Sequence, residues 1–142
     1  MVDKIKSKMG KKSHAEGKAF EPRVFKDLLN LPVIPCRWTN DVKDDELAQA
    51  KTHWRKTKFG MFPLNLNPGF PDFCYFNRLT NNFVGVECKI NNKLDKTEKE
   101  KCQWYLKNKI FDKFLVAYKT KEKNRVKVNY REIILEGGVK NG

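Results

Sequence analysis

The chain has no C-x-x-C pair: Cys36, Cys74, Cys88 and Cys102 are scattered singly. That excludes the usual spacings of a structural zinc site. Histidine is nearly absent, and His14 and His53 lie too far apart in sequence to suggest a histidine-based metal site. Acid is scarce beside base, with 17 Asp and Glu against 30 Lys and Arg. No apolar run approaches the roughly 20 residues that span a bilayer. The opening segment, MVDKIKSKMGKKSHAEGK, lacks the apolar middle of a secretory signal. Reduced thiols in a cytoplasmic setting are the expectation. Internal repeats and low-complexity tracts are missing as well.

What is present fits one domain of 142 residues, with enough aromatics, 12%, for a real core. A net charge of +13 favours a polyanionic partner, nucleic acid above all. The alternative is a basic surface spread for solubility. Residues 1–18 read as a basic arm in which Lys11, Lys12 and Lys18 meet phosphate, or as an ordinary frayed end. Residues 19–136 form the domain proper, and 137–142 a flexible tail.

Val24, Phe25, Leu28 and Leu29 recur at helical spacing, predicting a helix over 20–30 with Pro22 in its first turn. Leu31 to Pro35 ends it and begins an edge strand. Asp44, Asp45 and Glu46 predict the start of a short helix through Leu47, Ala48 and Ala50. The run from Lys51 to Phe59 carries four basic residues, two aromatics and no acid. Gly60, Pro63 and Asn65 to Gly69 then mark loop. The whole segment, 39–68, reads as a basic insertion or loop.

Asp72 to Asn77 reads as a strand, Leu79 to Asn82 as a turn and Phe83 to Ile90 as the returning strand. Alternation places Phe83, Gly85, Glu87 and Lys89 on one face, with Gly85 leaving room beside the charges. Val84, Val86, Cys88 and Ile90 form the other, core face. Thr97 and Glu100 suggest a capping box opening a helix to about Lys109, striped by Cys102, Leu106 and Ile110. Strands over 114–118 and 126–135 follow, joined by a charged connection over 119–125. The expected class is an α/β sandwich on a mixed sheet.

The segment richest in chemistry is Gly69-Phe70-Pro71-Asp72-Phe73, followed by Val84-Gly85-Val86-Glu87-Cys88-Lys89. Asp72 and Glu87 stand fifteen residues apart on adjacent strands. Two such carboxylates can share a divalent cation, and magnesium is content with one or two of them plus water. The Cys88 carbonyl is a plausible third oxygen. Cleaving a phosphodiester needs positive charge near the phosphate and a nucleophile made from water. Lys89, on the face of Glu87, can orient the water, help deprotonate it, or offset phosphate charge. The bland alternative makes Glu87 and Lys89 an exposed pair on a strand face.

Pro71-Asp72 with Glu87-x-Lys89 resembles the PD-(D/E)xK nuclease superfamily. Within it, the chain is similar to small Holliday junction resolvases of the archaeal and RecU types, and to virus-type replication-repair nuclease domains. The resemblance spans about residues 16–118. It implies a restriction-endonuclease-like fold and a Mg2+-dependent endonuclease, with Mn2+ able to substitute. It also implies a homodimer acting on four-way or otherwise branched DNA. Gly17-Lys18-Ala19-Phe20-Glu21 resembles the family's N-terminal helix motif. The metal-organising glutamate therefore falls on Glu21, with Glu16 less well placed. Gln103 falls where the family has a glutamine after the E-x-K strand. About fifty residues separate Glu21 from Asp72, more than in the family's short forms. RecU-type enzymes carry a basic projection in this region. Here Lys51, His53, Arg55, Lys56 and Lys58 could meet phosphates while Trp54 and Phe59 stack on bases, or the aromatics fold back on the core. Flaps, nicks and duplex DNA are alternative substrates within the superfamily, and a non-catalytic DNA-binding module is the alternative from another class.

Overall fold

The computed structural model describes residues 17–49, 53–64 and 69–137, with the backbone alone for 53, 54 and 62–64. Helix α1 covers residues 17–28. Phe20, Val24 and Leu28 recur at four-residue spacing along its buried face. Leu29 falls beyond the helix end and is exposed, against the expected stripe. Pro22 lies inside the helix rather than in its first turn, so the Lys18 carbonyl loses its donor four residues on. Lys18, read as part of the arm, is helical and exposed.

Five strands make one mixed sheet in the order β1 (Val33–Arg37), β6 (Phe73–Asn77), β7 (Asn82–Cys88), β8 (Lys113–Glu122), β9 (Arg125–Ile133). β6 and β7 form the expected antiparallel hairpin, and β1 covers the free edge of β6. β7 and β8 run parallel. Parallel neighbours need a long crossover, which α2 (Lys96–Lys107) provides. β8 extends further than expected, to Glu122, and β9 begins at Arg125 and ends at Ile133, because Lys123 and Asn124 both take positive φ and close a two-residue turn.

The cap of α2 lies two residues before the expected one. Asp95 accepts the Glu98 N–H at 2.8 Å, and Glu98 accepts the Asp95 N–H at 3.0 Å. Asp caps at least as well as Thr, and Leu94 just before it is buried. Cys102 and Tyr105 form the buried side of the helix.

Each helix covers one face of the sheet. Phe20, Val24 and Leu28 pack on Phe73, Tyr75, Val84, Val86 and Ala117. On the other face Cys102 and Tyr105 meet Phe70, Cys74, Phe111, Phe114 and Val116. β7 is therefore core on both sides, and Val84 through Glu87 are all buried. The room at Gly85 is filled by apolar groups, not left beside charge. A Cβ there would lie 3.0 Å from the Phe111 ring and 3.1 Å from Pro71.

Two small hairpins interrupt the chain between β1 and β6: β2 (Asp41–Lys43) with β3 (Glu46–Ala48), and β4 (His53–Thr57) with β5 (Gly60–Leu64). The helix expected from Asp44 is thus a turn. Asp44 and Asp45 both hold positive φ, which Asp tolerates better than most residues. Trp104 of α2 donates to Asp45 at 2.7 Å and Lys101 reaches Asp41 at 2.9 Å, tying this hairpin to the helix. Within the expected insertion or loop over 39–68, residues 53–64 form the β4–β5 hairpin. Among the described residues, no helix is long and apolar enough to cross a membrane.

Candidate active site

Asp72 stands one residue before β6, and Glu87 is the penultimate residue of β7. The β6–β7 register pairs Phe73 with Val86, so one further place sets Asp72 against Glu87. Both carboxylates therefore reach the same end of the sheet. The segment carrying Asp72 is pinned from outside: Phe70 N–H donates to the Asn40 carbonyl at 2.9 Å, and Trp38 N–H to the Asp72 carbonyl at 3.2 Å. Gly69 permits this approach, since a Cβ there would lie 2.5 Å from the Thr39 carbonyl carbon.

The two acids are locked by backbone as well. Asp72 N–H donates to Glu87 Oε1 at 3.1 Å, and Cys88 N–H donates to Asp72 Oδ2 at 2.9 Å. Lys89 N–H turns the other way, to the Ala117 carbonyl of β8 at 2.8 Å. By alternation the Cys88 carbonyl points toward β6. There the continued register offers Pro71, which has no N–H to give.

Burial pushes the Glu87 carboxyl well above its ordinary value, and the charge and hydrogen bonding of Asp72 add to this against a partial pull from Lys89. Glu21 rises too, through burial and then the charge of Asp72, offset in part by Arg37. Arg37 bonds Glu21 at 3.2 Å. α1 thus delivers Glu21 to the same carboxylates from the opposite face. Lys89 Nζ lies 3.8 Å from Glu87 and 2.5 Å from Glu98. Burial works against the Lys89 ammonium, but the Glu98 hydrogen bond and the charges of Glu87, Glu98 and Asp72 outweigh it and raise its pKa. An ammonium so held suits offsetting phosphate charge, not removing a proton from water.

The structure therefore brings Glu21, Asp72, Glu87 and Lys89 together, with the Cys88 backbone bonded to Asp72. Gln103 is not among them: it donates to the Ile134 carbonyl at 2.9 Å and accepts the Glu136 N–H at 2.7 Å, tying α2 to the C-terminal segment. Glu98 and Arg37 were missed by sequence reasoning. Glu98 would have emerged from placing the cap at Asp95; nothing in sequence links Arg37 to Glu21. Among the described residues, no group of three or more His, Cys, Asp and Glu side chains is set to hold a metal by itself. Any site here would pair carboxylates with the backbone oxygen and water, a set that suits magnesium.

The proposed DNA-contacting residues divide. Arg55, Lys56 and Lys58 are exposed on the β4–β5 hairpin. Phe59, in its turn, is 90% exposed and does not fold back on the core. The Thr57 hydroxyl donates to the Gly60 carbonyl and accepts the Phe59 N–H, holding the turn. His53 and Trp54 lie on β4 by backbone alone, while Glu16, Lys11, Lys12 and Lys51 fall outside the described residues.

No family model matches the chain, and neither does any curated protein or solved structure.

Proposed function

We propose that the chain is a divalent-metal-dependent endodeoxyribonuclease of restriction-endonuclease-like fold. It acts on branched DNA, four-way junctions foremost, as a homodimer. The observation that carries this reading is the meeting of Glu21, Asp72 and Glu87 at one sheet end, beside Lys89, in a chain of net charge +13. A cluster of acids repels DNA unless a cation stands between them. The donor set fits that cation. Glu87 is buried at a raised pKa, the condition a bound cation relieves, and the register continued past Phe73 would set the Cys88 carbonyl against Pro71, which has no N–H to give.

Mg2+, or Mn2+ in its place, would be held by Asp72, Glu87 and the Cys88 carbonyl, with Glu21 adjoining. When bound, the metal supplies Lewis acidity and lowers the pKa of water. The chain's own groups do the rest. Glu87 surrenders the proton that burial favours, and with Asp72 it presents fixed oxygens. Lys89 offers its ammonium to the charge that grows on the phosphate. The backbone clamp between Asp72 and Cys88 keeps these groups from rearranging during the reaction. The β4–β5 hairpin offers three cations and one bare ring, a combination suited to phosphates flanking unstacked bases. Two symmetric cuts in a junction require two sites, which a two-fold dimer provides.

The test is a panel of junction, flap, nicked, single-stranded and linear duplex DNA with magnesium, run beside Asp72→Ala. Paired symmetric cuts in the junction, absent from the variant, are expected. Equal cutting of linear duplex would move the substrate away from branched DNA. Binding without cutting by the wild type in either metal would favour a non-catalytic module.

A further inference from the structure

We propose that Glu98 is the positioning residue of Lys89: from the first turn of α2 it holds the ammonium away from Glu87 and aims it at the substrate phosphate. The inference rests on the nuclease reading above and adds to it a part that resemblance did not supply.

The two oxygens of Glu98 have separate tasks. Oε1 accepts the Asp95 N–H at 3.0 Å, and Oε2 holds Lys89 Nζ at 2.5 Å. The Glu98 backbone is fixed in turn, its N–H donating to Asp95 Oδ1 at 2.8 Å. The carboxylate is therefore anchored at one end and bonded to the ammonium at the other, with the side chain only 15% exposed. Lys89 needs such a hold. It lies just beyond the end of β7, and a lysine stem has four rotatable bonds and a compact charge that follows the nearest anion. That anion would otherwise be Glu87, already 3.8 Å away. An ammonium that settled on Glu87 would occupy the side from which a metal and a phosphate must approach.

A purely structural alternative makes Glu98 a helix cap and nothing more. Glu98→Gln separates the two, because Gln at this position keeps the capping acceptor and loses the charge. Asp95→Ala is the complement. It removes the side-chain cap but leaves the backbone N–H that holds Glu98. The expected result is a double dissociation. Glu98→Gln keeps the wild-type Tm but loses about 10- to 100-fold in kcat, with KM for a four-way junction unchanged. Asp95→Ala lowers Tm by a few degrees and leaves kcat within about 2-fold, since the cap and not the ammonium is disturbed.

A second readout requires no activity. In 15N spectra selective for lysine ammonium groups, the Lys89 resonance, assigned by its loss in Lys89→Met, persists in Asp95→Ala and disappears or shifts in Glu98→Gln. An unchanged Lys89 resonance in Glu98→Gln overturns the proposal, as does wild-type kcat in that variant or a loss of rate that tracks Tm in both. If the wild type cuts no DNA with either metal, the nuclease reading fails and the aim at a phosphate fails with it. The resonance then reports on the Glu98–Lys89 tie alone.

Discussion

The backbone N–H of Asp72 donates to the carboxylate of Glu87 at 3.1 Å, while the carboxylate of Asp72 accepts the N–H of Cys88 at 2.9 Å. Each acid thus restrains the strand that carries the other. The arrangement separates charge from scaffold. Asp72→Asn keeps an oxygen for the Cys88 N–H but removes a ligand charge. Its fold and junction affinity are expected to match the wild type while cleavage falls to background. Glu87→Ala and Lys89→Ala should also abolish cleavage and spare binding. Glu87→Ala carries an added stability cost of about 1–3 kcal/mol for the orphaned Asp72 N–H. Single-turnover cleavage and gel-shift titration check all three, and wild-type cutting by any of them contradicts the site.

Burial and the neighbouring Asp72 make Glu87 an expensive carboxylate in the metal-free fold. Glu87→Gln relieves that cost with a side chain of nearly the same shape. The variant is expected to be more stable than the wild type without metal by on the order of 1 kcal/mol, or about 2–4 °C in Tm. It should also be catalytically dead. Thermal melts in a chelator measure the gain. A variant less stable than the wild type would mean that Glu87 is well satisfied as an anion.

The raised Glu87 pKa also fixes a direction with pH. The folded state keeps a proton that the unfolded chain begins to lose near the ordinary value of 4.5. Metal-free stability therefore falls as pH rises from that value toward the raised one. Under the proposed function a divalent cation held there would displace the proton, so its stabilising effect should grow across the same window. Melts with and without manganese, taken at several pH values, should show a thermal shift that widens with pH. In Glu87→Gln the pH dependence should flatten. A shift independent of pH would show that Glu87 takes no part in binding.

Local pattern made the β6–β7 hairpin, the crossover helix and the Asp72–Glu87–Lys89 set legible, because each is written in adjacent residues. Alternation failed where it assumed one wet face. Gly85 and Phe83 look like the exposed half of a strand until Phe111, nearly thirty residues on, covers them. Asp44 and Asp45 read as a helix start because acids favour first turns. The structure uses their other talent, tolerance of positive φ. Glu98 was hidden by a cap misplaced two residues downstream, and Gln103 by hydrogen bonds to residues 134–136 that no motif encodes.

Phe59 exposes nine-tenths of its surface at the turn of β4–β5, flanked by Lys58 and preceded by Arg55 and Lys56. Under the proposed function, an aromatic held bare by a hydrogen-bonded turn would stack on a base no longer paired. Phe59→Ala is expected to weaken junction binding by about 1–3 kcal/mol and duplex binding far less. Replacing Lys56 and Lys58 by Ala should weaken both substrates alike and shallow the salt dependence by roughly 0.9 for each phosphate no longer neutralised. Affinities at several salt concentrations separate the two effects. Equal losses on junction and duplex for Phe59→Ala would make the ring an ordinary surface residue.

Gly85 links packing to the site. A methyl group there would meet the Phe111 ring at 3.0 Å and Pro71 at 3.1 Å. Phe111 is buried among Trp38, Phe83, Tyr105 and Phe114 and has little room to yield. Pro71, the other neighbour, directly precedes Asp72. Gly85→Ala should therefore cost about 1–3 kcal/mol in stability, as overpacking does, and push the Pro71–Asp72 segment out of register with Glu87. Cleavage should fall further than the stability loss explains, while junction binding through the β4–β5 hairpin holds. Urea melts, cleavage rates at a temperature where the variant is fully folded, and binding titrations test this together. Full activity in a folded Gly85→Ala would show that Phe111, not Pro71, gives way.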